Sequence, residues 1–343
     1  MNFRKLLLFV FAITFAGCLS GKAGETASVP LTQSLKENFK DAVAQYTALI
    51  DTMATKPERF PKTYYSWKNA SETSNSGWWC SGFYPGGLLL LYEQTGNEAM
   101  YEEAQRMLKL LEKEQYNTGT HDLGFMMYCS FGNAERLNPS KSYEEVLINS
   151  ARSLASRFNP TVGCIKSWDR GPNDYTVIID NMMNLELLFW ATAATGDSTY
   201  YNIAVKHADT TMRNHFREDF SSYHVLEYDK NTGDVLKKHT AQGYADSSSW
   251  ARGQAWGLYG YTMVYRETKD KRYLDFAQNI ADYMLNHPNM PADMIPYWDF
   301  NAPDIPEALR DASAGAVMAS ALLELYRYVD GEHSRKYFEA AER

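Results

Sequence analysis

A ring of antiparallel helical hairpins, all-α in class, is what these 343 residues encode, and three observations carry that expectation. Apolar residues recur at helical spacing through eleven segments, while strand alternation is nearly absent. A weak punctuation, a Gly or polar turn followed by a capping Asp, Asn or Ser, separates two helix-like segments each time it occurs. Within the later pairs one segment is ordinarily amphipathic, and its partner is unusually apolar and rich in Gly, as an inward helix of a double layer must be.

In chain order the helical segments are 33–52, 83–95, 98–115, 122–134, 142–157, 181–195, 198–216, 248–266, 271–286, 312–329 and 333–343. Tyr92-Glu93-Gln94-Thr95-Gly96-Asn97 parts the second from the third, and Ala194-Thr195-Gly196-Asp197 the sixth from the seventh. Tyr265-Arg266-Glu267-Thr268-Lys269-Asp270 and Tyr328-Val329-Asp330-Gly331 do the same for the last two pairs. Gly tolerates the left-handed turn that ends a helix, and Asp or Asn accepts the first free N–H groups of the next. Tyr223 to Tyr228, followed by the turn Lys230-Asn231-Thr232-Gly233, reads as a short β-hairpin. Eleven helices fall one short of six hairpins, so the ring is expected to lack its last helix at the C-terminus.

Composition bounds the function. With 34 Lys+Arg against 42 Asp+Glu the formal charge is -8, which argues against nucleic acid or other polyanions held by bulk electrostatics. An aromatic fraction of 14%, with 8 Trp and 24 Tyr, suits a site that stacks on sugar rings, although extra core packing would account for it equally.

Arg4 and Lys5 precede the apolar run Leu6 to Ile13, and Phe15-Ala16-Gly17-Cys18 comes after it. That stretch is too brief to span a bilayer and reads as an export signal over residues 1–22, of the lipoprotein type if Cys18 is the lipidated first residue. Ordinary cleavage nearby would instead discard Cys18. Residues 30–343 are then expected to be one catalytic domain in the periplasm. Cys80, Cys129 and Cys164 offer no disulfide framework or CxxC pair, and the 7 His residues make no HExxH cluster, so neither metal nor other cofactor is expected.

The chemistry should therefore come from carboxylates and aromatics. In Val177-Ile178-Ile179-Asp180-Asn181-Met182-Met183-Asn184-Leu185 one carboxylate sits where a β-branched run gives way to a helix-forming one. Apolar neighbours raise a carboxyl pKa and suit it to hold a proton as a general acid. Taken alone, the segment fits an N-cap better, with a helix beginning at Asn181. The other inward segments begin with Trp78-Trp79-Cys80-Ser81-Gly82-Phe83, His121-Asp122-Leu123-Gly124-Phe125, Trp250-Ala251-Arg252-Gly253-Gln254-Ala255-Trp256 and Asp311-Ala312-Ser313-Ala314-Gly315. Alternating hairpins would gather all of these starts at one mouth of the ring.

Gly82-Phe83-Tyr84-Pro85-Gly86, His121 to Phe125, Asp180 to Asn184, Gln242-Gly243-Tyr244-Ala245-Asp246 and Trp250 to Trp256 together resemble glycoside hydrolase family 88, the unsaturated glucuronyl hydrolases. The likeness runs from about Lys36 to Glu324. It implies an (α/α)6 toroid and removal of an unsaturated uronic acid from lyase-generated glycosaminoglycan oligosaccharides by hydration of the C4=C5 double bond. By the same resemblance Asp180 is the general acid and base, and Asp122 is the second carboxylate, steadying positive character at C5 and the ring oxygen. Trp79 and Trp256 match positions that stack on sugar, and Arg252 one close to the uronate carboxylate. Gln242 and His224 match polar positions near the reacting ring, with Trp250 and Gln254 beside them. Core packing is the plainer reading of the Trp residues, a surface ion pair that of Arg252, and a satisfied lone imidazole that of His224.

The chain departs from the family in stopping inside its eleventh helix, before a loop whose Ser contacts substituents such as sulfate. Family 105, the unsaturated rhamnogalacturonyl hydrolases, is the nearest rival, but it more often places Asn-Gly between the Arg-Gly and the Trp. A non-catalytic, lipid-anchored sugar-binding protein would not need both Asp122 and Asp180. A helical-toroid polysaccharide lyase would need a Tyr or His base that these motifs do not match.

Overall fold

The computed structural model describes residues 31–169 and 175–343. The export signal and Cys18 lie outside the described residues. The chain resolves into two units, Met1–Asn38 and Phe39–Arg343. Of the first, the described residues 31–38 are helical. The second is a double layer of helices in chain order, with small sheets at the loops.

Among the described residues the outer layer of this second unit comprises the part of α1 (Leu31–Ala54) from Phe39 onward, α3 (Glu98–Leu111), α5 (Lys141–Ala155), α7 (Ser198–Asn214), α9 (Lys271–Asn286) and α11 (Gly331–Glu342). The inner layer comprises α2 (Phe83–Thr95), a π-helical segment Gly124–Gly132 that runs into α4 (Asn133–Leu137), α6 (Leu185–Thr195), α8 (Ala251–Thr268) and α10 (Ala312–Leu325). The outer helices are amphipathic for a visible reason: on α3 the buried Met100, Ala104, Met107, Leu108 and Leu111 fall on one stripe, while Glu98, Glu102 and Lys109 stay outside it. Inner helices bury more of their surface. Leu88, Leu89 and Leu91 of α2 and Leu185, Leu187, Leu188 and Phe189 of α6 are all buried, each removing roughly 1.5–3 kcal/mol worth of apolar surface from water.

Close approach between inner segments depends on Gly. A Cβ on Gly82 would lie 2.1 Å from the Met126 carbonyl oxygen, and one on Gly86 2.3 Å from that of Cys129, so α2 and the π-helical segment touch backbone to backbone. The anticipated punctuation also forms. Gly96 (φ 67°) and Gly196 (φ 73°) end their helices left-handed, and Asn97, Asp197 and Asp270 accept the N–H groups of Ala99, Thr199 and Arg272. Asp330, also expected to cap, makes no side-chain cap bond.

Two expectations need correction. The helix foreseen from Asn181 begins at Leu185, and Ile179–Asn184 forms a 3-10 turn instead. Asp180 lies inside that turn with no capping hydrogen bond, because Val177 and Ile178 extend as a strand and carry the chain in from the side. Strands are also commoner than foreseen. The expected hairpin appears as β6 (Val225–Tyr228) and β7 (Val235–His239), to which β5 (Thr176–Ile178) adds antiparallel. A second hairpin pairs β1 (Phe60–Tyr65) with β2 (Ala70–Ser74) through a 3-10 turn at Ser66–Lys68, and β3 (Phe158–Asn159) pairs with β4 (Cys164–Ile165). Among the described residues no helix is long and apolar enough to cross a membrane.

Away from the mouth, Arg266 near the end of α8 binds Glu186 of α6 and Glu324 of α10, the latter at 2.7 Å. This holds three inner helices together through charge-assisted bonds.

Candidate active site

The inner-helix starts converge on a cleft of about 460 Å³. Trp78 and Trp79 form one wall, Arg252 and Gln242 another, and Asp122, Asp180, His121, Ile178 and Trp168 the floor and remaining side. Of the residues singled out in the sequence, Trp79, Asp122, Asp180, Gln242 and Arg252 face this space. His224, Trp250 and Trp256 stand immediately behind it. Gln254 is not part of the wall: it is fully buried, its Oε1 accepts from the Ser222 N–H and its Nε2 donates to the Phe220 carbonyl, so it ties the 220–222 loop to α8.

Asp180 is placed by the β5 edge. The N–H of Ile179 donates to the His224 carbonyl at 3.0 Å, which fixes the next residue against β6. The residue is 9% exposed, and its Oδ2 makes no hydrogen bond. Burial is the main cause, and the nearby Asp122 charge the second, of a pKa pushed up to about 7. Its own backbone N–H, the Arg252 charge and the Trp256 indole N–H oppose the shift more weakly.

Around Asp180 the imidazoles are set by their partners. His224 Nε2 lies 3.6 Å from Asp180 Oδ2, while Nδ1 accepts from the N–H groups of Ala241 (3.1 Å) and Gln242 (3.2 Å). A ring nitrogen that accepts twice carries no proton, so the proton of His224 sits on Nε2 and faces the carboxyl. The ring stacks obliquely on Trp250 at 4.5 Å and meets Trp168 edge-on at 6.0 Å. His121 is buried, its Nε2 3.3 Å from Asp122 Oδ1, and burial lowers its pKa so that it stays neutral. Asp122 also accepts from the Thr120 hydroxyl at 2.8 Å. It caps no helix; Leu123 occupies the position before the π-helical segment.

Arg252 is held in place rather than free. Nη1 donates to Asp311 Oδ2 at 2.5 Å and to the Ser313 hydroxyl at 3.2 Å, and Nη2 donates to Gln242 Oε1 at 3.3 Å. Its guanidinium also lies 4.7 Å above the Trp250 ring. Asp311 is doubly used, because Oδ1 caps α10 at the Ala314 N–H. Behind the cleft, Phe125 packs edge-on against Trp79 (5.4 Å) and Trp256 (5.2 Å), so the Trp256 ring is core as well as site.

Sequence reading alone passed over three contributors. Trp168 stands in a segment without periodicity. Asn184 Oδ1 accepts from the Phe125 N–H at 3.0 Å and so ties the two acid-bearing turns together. Trp78 drew notice only as part of a helix start. Among the described residues no group of three His, Cys, Asp or Glu converges as a metal ion would require.

Comparison with known proteins fits this geometry. The sequence model described as Glycosyl Hydrolase Family 88 matches residues 50–264. An unsaturated glucuronyl hydrolase of Formosa agariphila is 49% identical over 257 residues, covering 74% of this chain and 64% of that protein. An unsaturated chondroitin disaccharide hydrolase of Streptococcus pneumoniae is 34% identical, covering 79% and 69%. The chain thus spans just under two thirds of the Formosa relative's length. Among solved structures, an unsaturated glucuronyl hydrolase specific for heparin superposes with a TM-score of 0.85 at 47% identity, covering 90% of this chain and 82% of that one. The unsaturated glucuronyl hydrolase of Bacillus sp. GL1 superposes at 0.81 with 31% identity, covering 88% and 82%. The inner and outer helices described above are therefore those of an (α/α)6 toroid, and the chain belongs to glycoside hydrolase family 88.

Proposed function

We propose that this chain hydrates the C4=C5 double bond of an unsaturated uronic acid at the non-reducing end of lyase-generated glycosaminoglycan oligosaccharides, and thereby releases that sugar. The observation that carries the reading is Asp180, a buried carboxyl with a pKa near 7, beside a second carboxylate and a fixed Arg in one aromatic-walled cleft. The alkene is an enol ether, so protonation at C4 places positive charge on C5 and the ring oxygen. Asp180 gives that proton, and Asp122 faces the developing charge. Water then adds to C5 and returns a proton to Asp180, which restores the acid. The hemiketal opens by breaking its ring C5–O bond, leaving a ketone at C5 and a hemiacetal at C1 that collapses to free the remaining saccharide. Arg252 and Gln242 meet the uronate carboxylate, and Trp79 stacks on the ring, with Trp256, Trp250 and His224 backing them.

The conjugated alkene absorbs in the near ultraviolet, so its disappearance reports the reaction. The wild-type chain is expected to clear the absorbance of unsaturated chondroitin, hyaluronan or heparin disaccharides, and Asp180→Asn to leave it, with the rate reduced at least ~100-fold. Persistent absorbance from folded wild-type protein would favour a sugar-binding role, and clearance of rhamnogalacturonan products alone a family 105 activity.

We infer also that residues 1–22 export the protein to the periplasm, that Cys18 anchors it by lipid, and that residues 30–343 form one catalytic domain. The basic start, the short apolar run and the small residues before Cys18 support export. Intact mass of the membrane-fraction protein, compared with a Cys18→Ser variant, tests the anchor.

A further inference from the structure

The β1–β2 hairpin displays aromatic and basic side chains and touches the cleft wall at Lys62. Phe60 at its base is buried, and Arg59 locks it by donating to the Thr73 carbonyl at 2.8 Å. Beyond that base the side chains are displayed: Tyr64 is 60% and Trp67 75% exposed, and the Trp67 ring rests 4.7 Å from Tyr65. Lys68 lies 4.8 Å above the Tyr65 ring, and Lys62 lies 4.9 Å above that of Trp78, which is itself a wall of the cleft. Between positions 59 and 74 three cations, Arg59, Lys62 and Lys68, face one carboxylate, Glu72, in a chain whose formal charge is -8. Two exposed aromatic rings at a hairpin end cost solvation unless something covers them.

We propose that this hairpin is a distal subsite for the reducing-side sugars of an anionic oligosaccharide whose unsaturated end occupies the cleft. Lys62, whose ammonium lies over the Trp78 ring, joins the hairpin to the cleft wall. The hairpin offers rings for the sugar faces and ammonium groups for sulfate or carboxylate, and β1 alone extends roughly 20 Å. This rests on the reading of the cleft as a site for unsaturated uronides. On this proposal a disaccharide is held by the cleft alone, and a longer saccharide such as a tetrasaccharide extends onto the hairpin.

The test compares wild type with the surface variant Lys62→Gln/Trp67→Ala/Lys68→Gln on an unsaturated disaccharide and on the tetrasaccharide from the same polysaccharide. Clearance of the disaccharide should be unchanged, while KM for the tetrasaccharide rises about tenfold and kcat holds. Binding is followed independently by tryptophan fluorescence, with Asp180→Asn as the background in both forms. Equal tetrasaccharide affinity with and without the three substitutions overturns the subsite. If wild type clears neither substrate but the substitutions still weaken tetrasaccharide binding, the subsite stands and the hydrolase reading falls. A change in sedimentation with no change in affinity would make the hairpin a contact between copies of the chain and overturn the proposal.

Discussion

His224 turns its protonated Nε2 toward Asp180 Oδ2 at 3.6 Å, because the N–H groups of Ala241 and Gln242 occupy its Nδ1. The turn at 241–242 therefore sets which side of the imidazole the carboxyl meets. Asn at position 224 can keep an acceptor for those two N–H groups but presents no proton to Asp180. His224→Asn should melt close to wild type and lose about tenfold in kcat, whereas His224→Ala should also lose about 1 kcal/mol by taking the acceptor from two part-buried N–H groups. Melting curves and rates on the three proteins check this; a fully active His224→Asn would remove the imidazole from the mechanism.

On the proposed mechanism Asp180 acts as an acid only while protonated, so kcat/KM should fall as pH rises through about 7. The Arg252 charge favours the ionised form of Asp180, and Asp311 balances that charge. Asp311→Asn retains an oxygen to cap α10 but frees the charge of Arg252. The alkaline limb should move to lower pH, by up to ~1 unit, and KM for the uronide should rise. A pH–rate profile at matched substrate shows whether the limb moves.

A carboxyl that binds its proton more tightly folded than unfolded favours the fold below the ordinary carboxylate range. It gives up that advantage as pH rises toward about 7, since the unfolded chain ionises first. Above that, the folded state holds a poorly solvated charge. Asp180→Asn, neutral at every pH, should be more stable than wild type by roughly 1–3 kcal/mol at pH 8 and by little or nothing near pH 4. Denaturant midpoints at the two pH values decide it, and a gain that does not depend on pH would contradict the burial argument.

Gly124 cannot gain a side chain quietly. A Cβ there would lie 2.5 Å from the Asn184 Cα, on the turn that carries Asp180. Gly124→Ala should cost ~1–3 kcal/mol and reduce kcat more than KM, because the strain moves the acid rather than the sugar contacts. Unchanged kinetics would mean that the two turns shift together without consequence.

The ring was legible because its signals are local. Gly96-Asn97 and Gly196-Asp197 announce a helix end and the next cap within two residues, and both form as read. The β1–β2 hairpin was not legible, since Pro61 interrupts the strand pattern and the left-handed turn position is filled by Asn69 (φ 46°) without a Gly. At the site, Asp180 stood out by its apolar neighbours, yet the same neighbours suggested a cap. Only the pairing of β5 with β6 shows that the carboxyl enters sideways and meets His224. Trp168 and Asn184 reach the site through contacts with residues distant in sequence, which no window along the chain reveals.

The wide turns at Gly124–Gly132 have an evolutionary reading. A π segment amounts to an ordinary helix into which one extra residue has been slipped, and taking that residue out again would give a more regular, more easily formed coil. It would also twist everything upstream by roughly 100° relative to the downstream half of the helix. Asp122 would then point into the protein wall rather than the cleft. Tidying this helix and keeping that carboxylate on station are incompatible, so deletions in this stretch should be purged even where the fold survives them.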